Sequence, residues 1–198
     1  MKNLLALAFA GICLIFASET RSAVEFLPGV PAGVEALSLM GESLISPAAD
    51  AATIEKFEAA QEDYDRDPMA AENLIWLGRR TAYLGNYRSA IEIYTEGIAK
   101  HPGDARMYRH RGHRYISIRQ FDRAIVDFEA AAGLIEGQEN RIEPDGLPNA
   151  QNIPLTTTHG NIWYHLGLAY YLKQDWGNAL RAFQNGYNLG GNDDNLVS

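Results

Sequence analysis

The sequence predicts an all-α fold, an α-solenoid of three stacked helix hairpins with an N-terminal capping helix. Two observations predict it. One pattern of small and aromatic residues recurs three times in the 198-residue chain, and glycine or proline follows the ends of the expected helices. Each hairpin of such an array leaves an apolar face uncovered, so successive hairpins stack to bury it.

The repeating pattern is anchored by three glycines, Gly78, Gly112 and Gly167. The step from the first to the second is one repeat length, and the step to the third is the same length plus an insertion at residues 139–159. The second helix of each hairpin keeps the same steps at four positions: Tyr87, Phe121 and Trp176; Ala90, Ala124 and Ala179; Tyr94, Phe128 and Phe183; Gly97, Ala131 and Gly186. We expect the small residues to let helix axes approach closely and the aromatic rings to fill the neighbouring holes.

This pattern resembles the tetratricopeptide repeat (TPR), a helix pair of about 34 residues that opens with Trp-x-x-Leu-Gly-x-x-Tyr and continues with Ala-x-x-x-Phe. The segment from Trp163 to Tyr170 matches the opening in full, whereas the first two repeats carry Leu74 and Tyr108 at the tryptophan position. The resemblance covers about 120 of the 198 residues. It implies three TPR-like hairpins at residues 71–104, 105–138 and 160–193.

Residues 1–23 have the pattern of a cleaved secretory signal. Lys2 gives a positive start, an uncharged apolar run extends from Leu4 to Ala17, and small residues follow. The run is shorter than the roughly 20 residues that a helix needs to cross a bilayer. We therefore expect an exported protein, placed in a bacterial-type periplasm, that meets the membrane only through this segment. An uncleaved anchor and a lipid on Cys13 are the alternatives.

The segment between the signal and the first repeat divides into two parts. Residues 24–46, with two prolines and three glycines, predict a linker with at most one short helix. Ser46 and Pro47 have the form of a helix start. Residues 47–66 are therefore predicted to form a leading helix that covers the first repeat.

Two irregularities in the array are informative. The insertion at residues 139–159 contains three prolines and a run of three threonines. We expect either an ordered loop against the helices or a mobile one. The last predicted helix still carries Leu180, Phe183 and Tyr187 on one stripe, although arrays need a polar terminal cap. Either the sequence is a fragment of a longer product, or this end docks on a partner or a second copy.

The resemblance to TPR proteins also implies a concave groove lined by the first helix of each repeat. At the corresponding positions this sequence has seven candidate partner-binding residues: Arg79, Tyr83, Arg106, Arg109, His113, Tyr164 and Tyr171. Arginine matches a carboxylate through two parallel hydrogen bonds, and tyrosine offers a flat contact with a polar tip. We expect the groove to bind an extended peptide with an acidic residue or a C-terminal carboxylate. In the alternative, the arginines form ordinary solvated ion pairs with Glu72, Asp104 or their neighbours.

Composition and motifs exclude several other classes of protein. Lysine and arginine total 17 against 25 aspartates and glutamates, and a net charge of −8 disfavours a nucleic-acid partner. His110 and His113 are close enough in sequence to share a helix face, but no carboxylate stands at a matching spacing and no HExxH occurs. Gly-x-Ser-x-Gly and phosphate-binding glycine loops are also absent from the sequence. We expect no metal, no cofactor and no catalytic residues.

The sequence therefore predicts a protein–protein interaction scaffold or adaptor in the cell envelope. A second hypothesis is a small-molecule-binding protein in which residues 139–159 form a lid over Tyr83, Tyr164 and Tyr171. A closed apolar pocket would favour this hypothesis, and an open basic trough would favour peptide binding. A third hypothesis is self-association as a homo-oligomer through the C-terminal helix.

Overall fold

The computed structural model describes residues 34–38, 40–143 and 156–189. The predicted signal and most of the insertion, residues 144–155, lie outside these ranges. The described part of the chain is an α-solenoid, as predicted. Its helices are, in chain order, α1 (Ala51–Arg66), α2 (Ala71–Tyr83), α3 (Tyr87–Lys100), α4 (Ala105–Ser117), α5 (Phe121–Leu134), α6 (Thr158–Leu172) and α7 (Trp176–Asn188).

The helices pair into three hairpins, α2 with α3, α4 with α5 and α6 with α7, which stack in chain order. The first helices approach each other across the stack, because α2 contacts α4 and α4 contacts α6. The second helices contact the first helix of the following hairpin, as α3 does with α4 and α5 with α6. The closer spacing of α2, α4 and α6 puts these helices on the concave side.

Each hairpin is held by the predicted contact between a glycine and an aromatic ring. A β-carbon on Gly78 would lie 2.5 Å from the ring of Tyr94, and one on Gly167 would lie 2.5 Å from the ring of Phe183. In the middle hairpin a β-carbon on Gly112 would lie 3.0 Å from the ring of Phe128. The prediction that these small residues admit the aromatic side chains is confirmed.

The turn between the two helices of each hairpin contains one residue in the left-handed region. The three residues are Gly85 (φ 85°), Arg119 (φ 65°) and Gln174 (φ 63°), and they occupy corresponding positions in the repeat. Only the first is a glycine, the residue that adopts this conformation without a steric cost. The other two hairpins adopt the same turn with a non-glycine residue, whose backbone is strained in this conformation.

An ion pair replaces apolar contacts inside the middle hairpin. Two nitrogens of Arg111 donate to the two carboxylate oxygens of Asp127, at 2.8 and 2.7 Å, and a third donates to the hydroxyl oxygen of Thr95 at 3.0 Å. The first hairpin has Leu77 and Ile93 at the positions of this pair. Asp127 is 2% exposed, and burial raises the pKa of its carboxyl, while the Arg111 guanidinium offsets part of that increase.

The segment before the array differs from the prediction in two respects. The leading helix begins at Ala51 instead of residue 47, because the Asp50 carboxylate accepts a 2.7 Å hydrogen bond from the backbone of Thr53 and caps the helix there. The expected linker contains a two-stranded antiparallel ladder, β1 (Ala36–Leu37) with β2 (Ser43–Leu44). Ala36 is 2% exposed and belongs to the core, so this part of the segment is docked on the array.

The described ends of the insertion are fixed to each other and to α6. The backbone N–H of Glu143 donates to the carbonyl of Thr156 at 2.8 Å, and that of Thr158 donates to the carbonyl of Arg141 at 3.0 Å. The hydroxyl of Thr157 accepts from the N–H of Gly160 and caps α6. These contacts fix Glu143 where α6 begins. Among the described residues, no helix has both the length and the apolarity required to cross a bilayer.

Candidate partner-binding groove

Three arginines of α2 and α4 gather on the concave side of the first two hairpins: Arg79, Arg109 and Arg114. Arg79 and Arg109 are each 7% exposed, and Arg114 is partly buried. The three guanidinium groups are near enough for their charges to repel, and burial followed by this repulsion lowers the pKa of Arg109 and of Arg114. An arginine stays charged at neutral pH, so positive charge is concentrated here.

One carboxylate enters this cluster from the insertion. Nη2 of Arg109 donates a hydrogen bond of 2.7 Å to Oε2 of Glu143, and both side chains are 8% exposed. The second terminal nitrogen of Arg109 lies 2.8 Å from Nδ1 of His110. Arg114 forms no salt bridge with any carboxylate in the part of the chain that the structure describes. The pair with Glu143 therefore balances only part of the local positive charge.

Aromatic rings flank the arginines. The guanidinium carbons of Arg79 and Arg80 lie 4.5 and 4.8 Å from the ring centroid of Trp76. The hydroxyl of Tyr83 accepts a 3.3 Å hydrogen bond from Arg79, and this tyrosine is 48% exposed. Such stacking holds a guanidinium in a fixed plane while leaving its edge able to donate hydrogen bonds. The arrangement suits a partner that offers both a carboxylate and a flat or apolar surface.

One buried histidine, His110, and two half-buried ones, His113 and His165, lie between the arginine cluster and the third hairpin. His110 stacks on Tyr94 with ring centroids 5.6 Å apart, and the rings of His113 and His165 are 4.4 Å apart. Burial lowers the pKa of all three, for His165 to about 3. Nδ1–H of His165 donates to the carbonyl of Asn161 at 2.7 Å. These rings are neutral at pH 7, so the positive charge of the groove comes from arginine.

The structure brings together four of the seven predicted residues, Arg79, Tyr83, Arg109 and His113, because the charges of Arg109 and Arg114 also act on the His113 ring. Tyr164 lies farther along the stack, where it contacts His165. Tyr171 lies at the far end and packs edge-on against Trp176, with centroids 5.1 Å apart. The seven residues therefore extend along the array and do not form one compact site.

Arg106 is separate from the arginine cluster and fully paired. It donates to the carboxylate of Asp104 at 2.7 Å and also to that of Glu72, and these contacts raise its pKa. This geometry agrees with the alternative expectation of ordinary ion pairs for this one arginine. Arg106 lines a cavity of about 900 Å³ at the ends of the helices, and residues at the base of the insertion line it as well.

The cavity is lined largely by charged and polar side chains, including those of His101, Gln138, Glu139, Arg141 and His159. It lacks the closed apolar character that would favour the small-molecule hypothesis, whose proposed lid falls mostly outside the described residues. That hypothesis stays a prediction. In the described ranges, no group of three or more histidine, cysteine, aspartate or glutamate side chains is arranged to hold a metal ion.

Sequence reasoning missed Arg114, Glu143 and Trp76 as members of the cluster. Arg114 and Trp76 occupy repeat positions outside the set that the family resemblance marks for the groove. Glu143 belongs to the insertion, which has no counterpart in the other repeats and hence no positional signal. A search that considered every arginine of α4, and not only those at the marked positions, would have included Arg114.

Forty-five solved chains match this structure. MamA from Desulfovibrio magneticus RS-1, residues 41 to the end, has a TM-score of 0.53 and 19% identity, covering 70% of this chain and 67% of that chain. The MamA RS-1 ArsTM double mutant has a TM-score of 0.52 and 19% identity, covering 69% of this chain and 65% of that chain. MamA MSR-1 C2 has a TM-score of 0.50 and 17% identity, and the match covers 71% of this chain and 68% of that chain.

This chain thus spans about two thirds of the length of the MamA chains that it resembles. Neither a protein-family model nor a curated protein matches the sequence. The likeness to solved structures agrees with the three stacked hairpins and their glycine–aromatic contacts. The chain has a TPR-like fold, an all-α solenoid, as the sequence predicted.

Proposed function

We propose that this chain is a protein–protein interaction scaffold that holds an acidic segment of a partner in its concave groove. The observation that carries the proposal is the convergence of Arg79, Arg109 and Arg114 in a chain whose net charge is −8. A concentrated positive charge on an otherwise acidic protein selects and steers a negatively charged partner. Nearby aromatic rings add contact area that does not depend on charge.

The pair between Arg109 and Glu143 supports a carboxylate as the group that is recognised. It is a charge-assisted hydrogen bond of 2.7 Å in a nearly dry environment, where such bonds are strongest. Arg114 offers a second guanidinium that no described carboxylate neutralises. An acidic side chain or a C-terminal carboxylate of an extended peptide would supply the missing negative charge.

We also propose that the scaffold works in the cell envelope, as an adaptor or assembly factor. The support is the sequence of residues 1–23, with its basic start and short apolar run. The periplasm is the compartment that this signal favours. The absence of a catalytic role remains a prediction from the sequence.

Fluorescence anisotropy with labelled extended peptides tests the groove. The panel contains peptides rich in aspartate and glutamate and matched peptides with asparagine and glutamine. We expect the acidic set to bind more tightly, and binding to weaken as salt is added. Arg114→Gln should weaken binding of the acidic peptides about 10- to 100-fold, because charge-assisted bonds contribute about 1.5–3 kcal/mol. Arg66→Gln, on the exposed side of α1, is the matched control.

Two results would contradict the proposal. One is equal affinity for the acidic and amide peptides. The other is equal loss of binding in Arg114→Gln and Arg66→Gln, which would show that the overall charge of the protein matters and the groove does not. Circular dichroism of both variants establishes that helicity is retained.

A further inference from the structure

The concave side of the third hairpin differs in chemistry from that of the first two. Its first helix, α6, contains no aspartate, glutamate, lysine or arginine, whereas α2 carries two arginines and α4 carries four. Burial lowers the pKa of His165 to about 3 and lowers that of His159 as well, so both histidines of α6 are neutral at pH 7. The lining of the groove therefore changes from cationic to uncharged along the stack.

The repeat identifies the residues of α6 that face the groove. Three large, uncharged residues of α6 occupy the positions that the first two hairpins use for candidate groove residues. They are Tyr164, at the position of Arg109; Leu168, at that of His113; and Leu172, at that of Tyr83. The three are four residues apart and hence share one face of the helix. We call them the α6 wall.

The α6 wall keeps apolar surface that a partner can bury. Leu172 is 38% exposed, and the other two residues of the wall are partly buried. The core of the hairpin is built from other residues of the helix. They are Ile162, Leu166 and Ala169, each at most 4% exposed.

The α6 wall continues the surface that carries the arginine cluster. The charges of Arg109 and Arg114 act on the ring of His113, which lies 4.4 Å from the ring of His165. His165 in turn meets the ring of Tyr164 edge-on, with centroids 5.1 Å apart. A segment that lies on the arginine cluster and follows the stack therefore reaches the α6 wall without leaving the groove.

The change in lining selects the chemistry of the group that packs on the wall. A second acidic side chain would lose water there without gaining a charged partner. A large apolar side chain instead gains from being buried against the wall. Neighbouring packed helices lie about 8–10 Å apart, a distance that an extended peptide crosses in about three residues.

We propose that the partner segment combines two features. One is the acidic group held by the arginine cluster, and the other is a leucine or phenylalanine about three residues away that packs on the α6 wall. This inference rests on the proposed function and adds the second half of the recognised motif.

Fluorescence anisotropy with peptides of constant acidity tests the second contact. Every peptide carries the same acidic residues, with leucine or serine placed about three residues before or after them. We expect leucine in one of these two orders to give binding about 10-fold tighter than serine, because the leucine side chain is buried. The leucine preference should remain when salt is added, since salt screens charges and does not weaken apolar burial.

Two substitutions connect the preference to the α6 wall. Leu168→Asn and Leu172→Asn should each reduce the leucine preference to about 3-fold or less while leaving the affinity for the serine peptide unchanged. Leu180→Asn, at an exposed position of α7 outside the groove, is the matched control and should keep the full preference. Leu172 is more than a third exposed, so its replacement tests the wall even if circular dichroism shows that Leu168→Asn loses helicity.

Equal affinity for the leucine and serine peptides overturns this inference. So does a leucine preference that survives in both α6 variants. An acidic preference without a leucine preference removes the second contact and leaves the proposed function standing. Loss of the preference for acidic over amide peptides contradicts the proposed function and this inference with it.

Discussion

Arg109 and Glu143 come from different parts of the chain and form a 2.7 Å ion pair with both side chains 8% exposed. A carboxylate of the insertion thus occupies part of the groove in which the sequence predicts an acidic partner. An acidic peptide and Glu143 would compete for the same guanidinium group. This competition makes the affinity of the groove adjustable by changes at residue 143.

Replacing Glu143 with glutamine should strengthen the binding of acidic peptides. The change keeps the size of the side chain and removes a negative charge from the arginine cluster, so we expect a gain of about 3- to 10-fold, equivalent to about 0.6–1.4 kcal/mol. Fluorescence anisotropy measures the affinity. Glu139→Gln, an exposed change in the same segment, is the control and should have little effect. Weaker binding by Glu143→Gln would show that the pair shapes the groove and does not compete for it.

The turn residues give a prediction about stability. Arg119 and Gln174 adopt φ values of 65° and 63°, which cost a non-glycine residue roughly 1–2 kcal/mol. Substituting either residue with glycine should therefore stabilise the protein. The expected gain is about 0.5–1 kcal/mol, once the cost of the added flexibility of the unfolded chain is subtracted. Urea denaturation measures the free energy of unfolding. In the opposite direction, Gly85→Ala should destabilise, because the new methyl group would also clash with Ser46.

The glycine–aromatic contacts give a second prediction about stability. Gly167→Ala would place a β-carbon 2.5 Å from the ring of Phe183, and overpacking of this kind costs about 1–3 kcal/mol. Gly133→Ala, in α5, meets no atom within 4 Å and should stabilise by about 0.5–1 kcal/mol through helix propensity. Thermal and urea unfolding of both variants compare the two. Equal effects would mean that the close approach of the helices is unimportant.

We expect the free energy of unfolding to fall in mild acid because of the desolvated histidines His110, His113 and His165. The folded pKa of His165 is about 3, whereas the unfolded value is about 6.5, so the unfolded chain binds the proton first. Stability is therefore full above about pH 7 and decreases as the pH falls toward 3, with a loss of about 2 kcal/mol at pH 5 from this one residue. His110 and His113 act in the same direction.

Urea denaturation between pH 8 and pH 5 tests the histidine effect, over the range around the unfolded pKa of about 6.5. His165→Gln removes one titrating group and should flatten the pH dependence, even if the variant is less stable at pH 8. His101→Gln, on the turn between α3 and α4, is the control. An unchanged slope in His165→Gln would contradict the assignment of the acid sensitivity to this ring.

The sequence predicts the hairpins well, because small and aromatic residues at fixed steps report directly on helix packing. Gly78 on α2 and Tyr94 on α3 meet as that logic requires. The predicted start of α1 was wrong, since Asp50 and Ser46 are both good caps and only the structure shows which one accepts the Thr53 hydrogen.

The composition of the arginine cluster was predicted only in part, because it depends on the insertion. Glu143 belongs to a segment without a repeat partner, and its position follows from the backbone bonds that join residues 141–143 to residues 156–158. Arg114 occupies a repeat position at which the third hairpin has Ala169, so periodicity gives it no special status. Contacts of this kind are set by tertiary structure and have no signature in the local sequence.

The contact between Arg111 and Thr95 has a consequence for how the chain reaches its native order. Near-identical repeats can slip by one unit during folding and still bury similar apolar faces. Here a slip would bring α4 against a neighbour with another residue in place of Thr95, whose counterpart in the following hairpin is Glu129. The Arg111 guanidinium would then face a second carboxylate, beside that of Asp127, in place of a hydroxyl, and the excess negative charge in this partly buried site penalises the mispaired arrangement.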